Sequence, residues 1–350
     1  MNKKKLNVVI IGATGYIGSE LTRILAIHPR VKIVAITSEK SEGRQLSKIF
    51  PIFKQYEIPR LSSSKDINWK KIDIAYFCLP HGKAQKLISK AYKVEKLKII
   101  DLSADFRIKS LSSYKKWYGE THKFPVGLKK SVYGLTEIYG RSIRNSKIIA
   151  CPGCYPTSIL IPILPLINKR LVDIDTLIVD SKSGISGAGR SAVESNLFSE
   201  INEGMKAYNV GFHRHMAELD QELGKFSKKV IKTRFTTHLV PMSRGILSTI
   251  YLKLKKNITI NLVYKQLNLI FKDSFFVKIS PLNQVPSTND VRGTNFIHIG
   301  VSSTRNKNEI IIVSVIDNLI KGGAGQAVQN MNLVYGFPEN TGLNLTPSFP

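Results

Sequence analysis

The feature that most restricts the fold lies at the start of the chain. Leu6–Ile11 is an unbroken apolar run, and Gly12-Ala13-Thr14-Gly15-Tyr16-Ile17-Gly18 follows it at once. Residues 19–27 then carry Leu21, Ile24 and Leu25 at helical spacing. A strand that is apolar on both faces belongs inside a parallel sheet with covered faces. In a strand–glycine–helix unit the first glycine permits the tight turn, the second lets a pyrophosphate approach the backbone, and the third allows close helix–strand packing. Gly12, Thr14, Gly15, Tyr16, Ile17 and Gly18 are therefore candidate dinucleotide-binding residues, against the plainer reading of a glycine loop with no ligand.

Three more apolar runs repeat the theme at residues 31–36, 72–79 and 97–102, and each ends in a polar loop. Loops at the carboxyl ends of parallel strands line the cofactor crevice. After the second strand stand Thr37, Ser38, Glu39 and Lys40, with Arg44 nearby. Hydroxyls and cations suit a 2′-phosphate, so Ser38 and Lys40 favour NADP(H) over NAD, while Glu39 pulls the other way. His81, after the third strand, is a candidate cofactor-loop residue or an exposed loop histidine. Cys78 reads as structural. Arg107, after the fourth strand, would hold a phosphate or carboxylate with its guanidinium fork, unless it pairs with Asp105. Residues 108–146 read as loop-rich and aromatic.

A second motif organises the rest. Ala150-Cys151-Pro152-Gly153-Cys154-Tyr155-Pro156-Thr157 joins a short strand, residues 147–150, to a long apolar helix over 157–167. Pro152-Gly153 makes a turn and Pro156 suits a first helical turn. That places Cys154 at a helix N-terminus, where free N–H groups and the dipole favour a nucleophilic thiolate; the bland alternative is a small buried hydrophobe. In His213-Arg214-His215 an extended backbone would put both imidazoles on one side, one of them able to take the thiol proton. A zinc site or a Cys-x-x-Cys redox pair built on Cys151 and Cys154 is disfavoured by the helix cap, and no metal is expected. Ser183 and Gly184, in a small-residue loop after a strand at 176–180, suit the ring end of a cofactor. Arg244 is a second anion clamp and His238 reads as structural. Helices at 216–223 and 261–272 and strands at 248–254, 295–302 and 310–316 give this half an α+β character. The glycine loop at 317–329 opens a helix that returns to the first half, with Asn318 set against the nicotinamide.

Composition narrows the class. A chain of 350 residues is long enough for two cores. Lys+Arg of 52 against Asp+Glu of 25 gives +27. Those cations are scattered and accompany no nucleic-acid motif, so they read as a field for anionic ligands. No apolar run approaches the ~20 residues of a membrane span. The basic start precedes a strand rather than a cleavage site, so no signal peptide is read. Three cysteines are too few for a disulfide framework and point to the cytoplasm. A nucleotide half, a helix-capping cysteine, paired histidines and arginines together suit thiolate attack on an acyl phosphate, a thioester, and hydride transfer to an aldehyde.

The runs 12–18, 101–107, 151–157 and 183–190, with His213-Arg214-His215, resemble the N-acetyl-gamma-glutamyl-phosphate reductase family over almost the whole chain. The resemblance implies an α/β fold: a Rossmann-type parallel-sheet NADP-binding domain at 1–154 with 319–350, and an α+β substrate and dimerisation domain of the semialdehyde-dehydrogenase type at 155–318. It implies reversible NADPH-dependent reduction of N-acetyl-L-glutamyl 5-phosphate in arginine biosynthesis. Cys154 becomes the nucleophile, His213 the base and His215 a substrate-site residue, in a homo-oligomer, dimer or tetramer, joined through the second domain. One departure follows the histidines: Met216-Ala217-Glu218-Leu219 keeps the family's glutamate without its proline. Aspartate-semialdehyde dehydrogenase, with the same architecture and chemistry, is the rival; a basic nucleic-acid binder is the rival of another class.

Overall fold

In the computed structural model, which describes residues 5–191 and 193–348, the chain divides into two compact units, Met1–Pro152 with Gly323–Asn344, and Gly153–Gly322 with Leu345–Pro350. The basic start, Met1 to Lys4, lies outside the described residues.

The first unit is built on a seven-stranded, wholly parallel sheet. β1 (Leu6–Ile11) is an interior strand, flanked by two parallel neighbours, and is buried from Val8 onward, as its apolar run requires. The turn leads into α1 (Tyr16–Ala26). Then come β2 (Val31–Thr37), β3 (Leu61–Ser62), β4 (Ile74–Phe77), α2 (Gln85–Tyr92) and β5 (Lys98–Asp101). The segment read as loop-rich instead holds three short helices, α3 (Leu111–Tyr118), α4 (Pro125–Lys130) and α5 (Thr136–Arg144), with β6 (Val132–Tyr133) between the last two. Their signal is in the caps rather than in apolar spacing. Ser110 accepts the Ser113 N–H to open α3, Gly119 at φ +75° closes it, and Pro125 starts α4. β7 (Ile148–Ala150) completes the strand order β3-β2-β1-β4-β5-β7-β6.

The second unit opens with α6 (Cys154–Asn168), which starts at the cysteine the sequence set at a helix N-terminus and takes in the apolar run at 157–167. Its residues from Tyr155 to Ile167 are all buried. There follow β8 (Val172–Gly184), α7 (Phe198–Ile201), β9 (Lys206–Tyr208), α8 (His215–Ser227), β10 (Arg234–Val240), β11 (Ile246–Leu254), α9 (Ile260–Phe271), β12 (Val277–Ile279), β13 (Ile297–Ser303) and β14 (Glu309–Ile316). The strands form a mixed sheet in the order β12-β13-β14-β11-β8-β10-β9. α6 packs on β8, β11 and β14 with α8 and α9 at its sides; β11 buries alternate residues from Ile246 to Leu254, whereas β14 is buried continuously from Ile312 to Ile316. On the opposite alternation Ile178 and Tyr251 stay exposed.

Two local expectations change. β10 pairs parallel with β8 and was not anticipated. His213-Arg214-His215 is not extended: Arg214 has helical angles (φ −56°, ψ −26°) and α8 begins at His215. After β14 a π-helical turn, Ile320–Ala324, leads into α10 (Gly325–Val334), which belongs to the first unit and packs on α5 and α1.

Candidate active site

In the second unit the site grows from the start of α6. Cys154 is its first residue and is half-buried. The N-cap is Gly153, extended (φ −66°, ψ 156°), and no side chain caps the helix. The chain around the sulfur is tied on both sides. The Gly153 N–H donates to Oε1 of the fully buried Glu218 at 2.8 Å. The Gly153 carbonyl accepts the Thr157 N–H and hydroxyl, each at 3.0 Å. A Cβ on Gly322 would stand 2.7 Å from the Cys154 Cβ, so glycine is required where the π-turn meets the helix.

The histidines differ in their commitments. The His215 ring lies on Gly153, where an added Cβ would meet its Nε2 at 2.4 Å. Nδ1 of His213 accepts the His215 N–H at 3.1 Å, which leaves the proton of the neutral ring on Nε2. Tyr155, Tyr208 and Phe235 present their rings to His213 at 5.5, 5.5 and 5.6 Å in edge arrangements. Burial, and secondarily the Arg214 charge, push His213 down to about 4. Tyr155 and Tyr208 meet oxygen to oxygen at 3.0 Å, and burial pushes Tyr208 up to about 12.

Ser183, Gly184, Arg244 and Asn318 come together in one knot of loops. The Ser183 hydroxyl donates to the Gly184 carbonyl at 2.9 Å, and a Cβ on Gly184 would meet the Met242 carbonyl at 2.8 Å. Asn318 accepts the Gly245 N–H at 2.8 Å and donates to the Ser186 hydroxyl at 2.9 Å. Arg244 Nη1 is 3.5 Å from Oδ2 of the buried Asp317, whose Oδ1 takes the N–H groups of Leu319 and Ile320.

In the first unit the glycine turn has the form a dinucleotide needs. Gly12 sits at φ +89°, and a Cβ there would be 2.6 Å from the Cys78 carbonyl oxygen. A Cβ on Gly18 would be 2.2 Å from the Gly12 oxygen. Gly15, by contrast, has nothing nearer than 3.8 Å and caps α1 without a side-chain bond, leaving an open cradle before Tyr16 and Ile17. The hydroxyls of Thr14 and Ser38 lie 3.0 Å apart, and Lys40 is exposed. The Glu39 carboxylate is taken by the Ser63 hydroxyl and the Ser64 N–H, both at 2.9 Å, and these bonds hold it below the usual carboxylate range. His81 is exposed, its ring 5.5 Å from that of Tyr118. Arg107 donates from Nε to the Cys151 carbonyl at 2.7 Å and from Nη2 to the Leu102 carbonyl at 3.2 Å. Burial pushes the Cys151 thiol up to about 12, and its sulfur accepts from Asn330 at 3.7 Å. Among the described residues no group of three or more His, Cys, Asp or Glu could hold a metal ion, and no helix is long and apolar enough to cross a membrane.

Sequence reading did not find the grip of Glu218 on Gly153, the rings around His213, or the approach of Gly322. The i, i+3 spacing of His215 and Glu218 on one helix was the available sign of the first.

Comparison with known proteins defines the class. Residues 7–146 match the family model described as semialdehyde dehydrogenase, NAD binding domain, and residues 154–318 the one described as semialdehyde dehydrogenase, dimerisation domain. Aspartate semialdehyde dehydrogenase II from Vibrio cholerae superposes with a TM-score of 0.73 over 95% of this chain and 99% of that one, at 20% identity. The Candida albicans aspartate semialdehyde dehydrogenase with NADP gives 0.66 over 97% and 100%, at 14%. These likenesses establish the fold: it is that of the semialdehyde dehydrogenases. The protein named N-acetyl-gamma-glutamyl-phosphate reductase in Ehrlichia canis is 46% identical over 99% of both chains, and that of Geobacter metallireducens 45% over 99% of this chain and 100% of its own. A probable chloroplastic N-acetyl-gamma-glutamyl-phosphate reductase of Arabidopsis thaliana is 42% identical over 99% of this chain and 86% of that protein. The chain belongs to the N-acetyl-gamma-glutamyl-phosphate reductase family.

Proposed function

We propose that this protein reduces N-acetyl-L-glutamyl 5-phosphate with NADPH to N-acetyl-L-glutamate 5-semialdehyde and phosphate, reversibly, in arginine biosynthesis. The observation that carries the chemistry is Cys154 at the uncapped first residue of α6, next to a glycine against which an imidazole packs. Its thiolate attacks the acyl carbon; the S–C bond forms, the C–O bond to phosphate breaks, and a thioester results. N–H groups of the first helical turn favour the thiolate. NADPH, when bound, supplies the hydride that brings the acyl group to the aldehyde level. The residues that would hold it are Gly12, Thr14, Gly15, Tyr16, Ile17 and Gly18 at its pyrophosphate, Ser38 and Lys40 at its 2′-phosphate, and His81 and the Ser183, Gly184 and Asn318 loops toward its ring. The engagement of Glu39 with Ser63 and Ser64 supports NADP over NAD, because that carboxylate is already occupied.

Of the two histidines, we assign the proton to His215 and the supporting place to His213, the reverse of the sequence expectation. His213 already uses Nδ1 on a backbone N–H, whereas the His215 ring borders Gly153. His215 takes the thiol proton before attack and moves the proton at the substrate oxygen when the aldehyde leaves. Arg244, set beside Asp317 in the loop knot that also holds Ser183 and Asn318, is the clamp for the substrate anion, and Arg107 braces the backbone at Cys151. The dimerisation-domain match supports a homo-oligomer, a dimer or tetramer joined on the sheet face that exposes Ile178 and Tyr251. Three free cysteines, two of them with thiols raised by burial, suit the cytoplasm.

Steady-state assays with N-acetylglutamate semialdehyde and with aspartate semialdehyde, each with NADP and phosphate, test the substrate; activity on the second alone refutes the proposal. Cys154→Ser should abolish turnover while NADPH still binds, and retained turnover refutes the thioester route. His215→Asn should lower the rate and alter its pH profile; the same result from His213→Asn alone would restore the first assignment.

A further inference from the structure

α6 carries the sulfur at its first residue and a fault in its middle. Pro162 has no N–H for the Ser158 carbonyl, so the helical ladder is interrupted below the second turn. Ser158 itself is tied to the sheet. Its hydroxyl donates to the Tyr155 carbonyl at 2.9 Å and lies 2.7 Å from the Ser248 oxygen. The Ser248 oxygen in turn lies 2.7 Å from that of Ser181. All three are fully buried. Each hydroxyl has one proton. The proton of Ser158 goes to Tyr155, so Ser248 donates to Ser158 and Ser181 donates to Ser248. The chain of bonds runs one way, from β8 through β11 to the carbonyl of the residue after Cys154. Ser314 on β14 is the next cross-strand partner of Ser248; it is equally buried, and its hydroxyl stands outside the chain.

We propose that Ser181, Ser248 and Ser158 are positioning residues for Cys154, fixing the first two turns of α6 on the sheet independently of the helix beyond Pro162. This rests on the reading of Cys154 as the nucleophile. Neither Ser181 nor Ser248 touches the sulfur; they act through Ser158 and the Tyr155 carbonyl. Ser248, bonded on both sides, is the member whose loss opens the chain at its centre.

The test uses the full-length enzyme with Ser248→Ala, Ser181→Ala, Ser314→Ala and Ser248→Thr. Two quantities are measured: turnover of N-acetylglutamate semialdehyde with phosphate and NADP, and the pH dependence of Cys154 alkylation by iodoacetamide, read by mass on the Cys154 peptide. Ser248→Ala should lower kcat about tenfold with KM changed by less than about twofold, and move the alkylation midpoint to higher pH. Ser181→Ala should act in the same direction and less. Ser314→Ala, which removes a buried hydroxyl outside the chain, should do neither, and Ser248→Thr should restore the midpoint. If Ser248→Ala does not fold, Ser181→Ala decides. Equal effects of Ser248→Ala and Ser314→Ala, or an unmoved alkylation profile in both chain variants, overturn the proposal. Turnover by Cys154→Ser would strike the nucleophile assignment instead and leave the alkylation comparison standing.

Discussion

Gly322→Ala is the most direct probe of how finely the nucleophile is placed. The new Cβ would stand 2.7 Å from the Cys154 Cβ, 3.1 Å from its Cα and 3.3 Å from the Ile316 Cδ1. Carbon atoms rest at ~3.5–4.0 Å, so about 1 Å must be found, and two of the three obstacles belong to Cys154 itself. Overpacking of this kind costs about 1–3 kcal/mol. A fall in melting temperature of roughly 2–4 °C per kcal/mol would accompany it. A displacement of ~1 Å at a reacting group costs about 10²-fold in rate. The expected outcome is a folded enzyme whose kcat for NADP reduction, with N-acetylglutamate semialdehyde and phosphate, falls about a hundredfold, or ~2.7 kcal/mol of activation energy. Iodoacetamide should also react more slowly with Cys154. Turnover within about threefold of the parent enzyme, with unchanged alkylation, would show that the sulfur does not depend on this contact.

Three further outcomes follow from the geometry. Burial lowers His213 from 6.5 to about 4, so the folded chain binds fewer protons there than the unfolded chain; stability is full above 6.5 and lost as pH falls through that window, by at most about 3 kcal/mol. His213→Gln should therefore flatten the acid limb in urea titrations run at several pH values. Glu218→Ala leaves the Gly153 N–H without its carboxylate and should cost about 1–3 kcal/mol in the same assay, whereas Glu218→Gln, which keeps an acceptor, should cost less. Gly15→Ala has room in the free protein, so its melting temperature should hold while NADPH affinity, measured by calorimetry, falls about tenfold; unchanged affinity would remove the pyrophosphate from this turn.

What could be read in the chain depended on how local its cause was. β1, the glycine turn and α1 were legible because a doubly buried strand and a turn requiring positive φ leave direct marks on residue type. α6 was legible as an apolar run, and its start at Cys154 was marked by the Pro152-Gly153 turn before it and by Pro156, which the first turn of a helix tolerates. β10 was not, because Thr236, Thr237 and His238 break the apolar pattern and the strand is specified by pairing with β8, distant in sequence. The same holds at the site. Cys154 was marked by its own neighbours, whereas the grip of Glu218 on Gly153 spans 65 residues and exists only after α8 has packed beside α6. His213-Arg214-His215 was visible as a motif, but its division of labour depends on a turn whose angles its residue types do not announce.

The return of α10 to the first unit sets an order on biosynthesis. Residues 325–333 are buried, and Asn330 holds the Gly134 carbonyl and the Thr136 hydroxyl from within that helix. A nascent chain that has released Pro152 from the ribosome still lacks this piece, and 192 residues separate it from Asn344. At 5–20 residues per second the nucleotide unit waits roughly 10–40 s with α5 uncovered, while Gly153–Gly322, the second unit apart from its short terminal segment, emerges and can close first. The amino-terminal half, although made earlier, matures last, so chaperone demand should concentrate on it and a stop codon before α10 should be far more damaging than its distance from Cys154 would indicate.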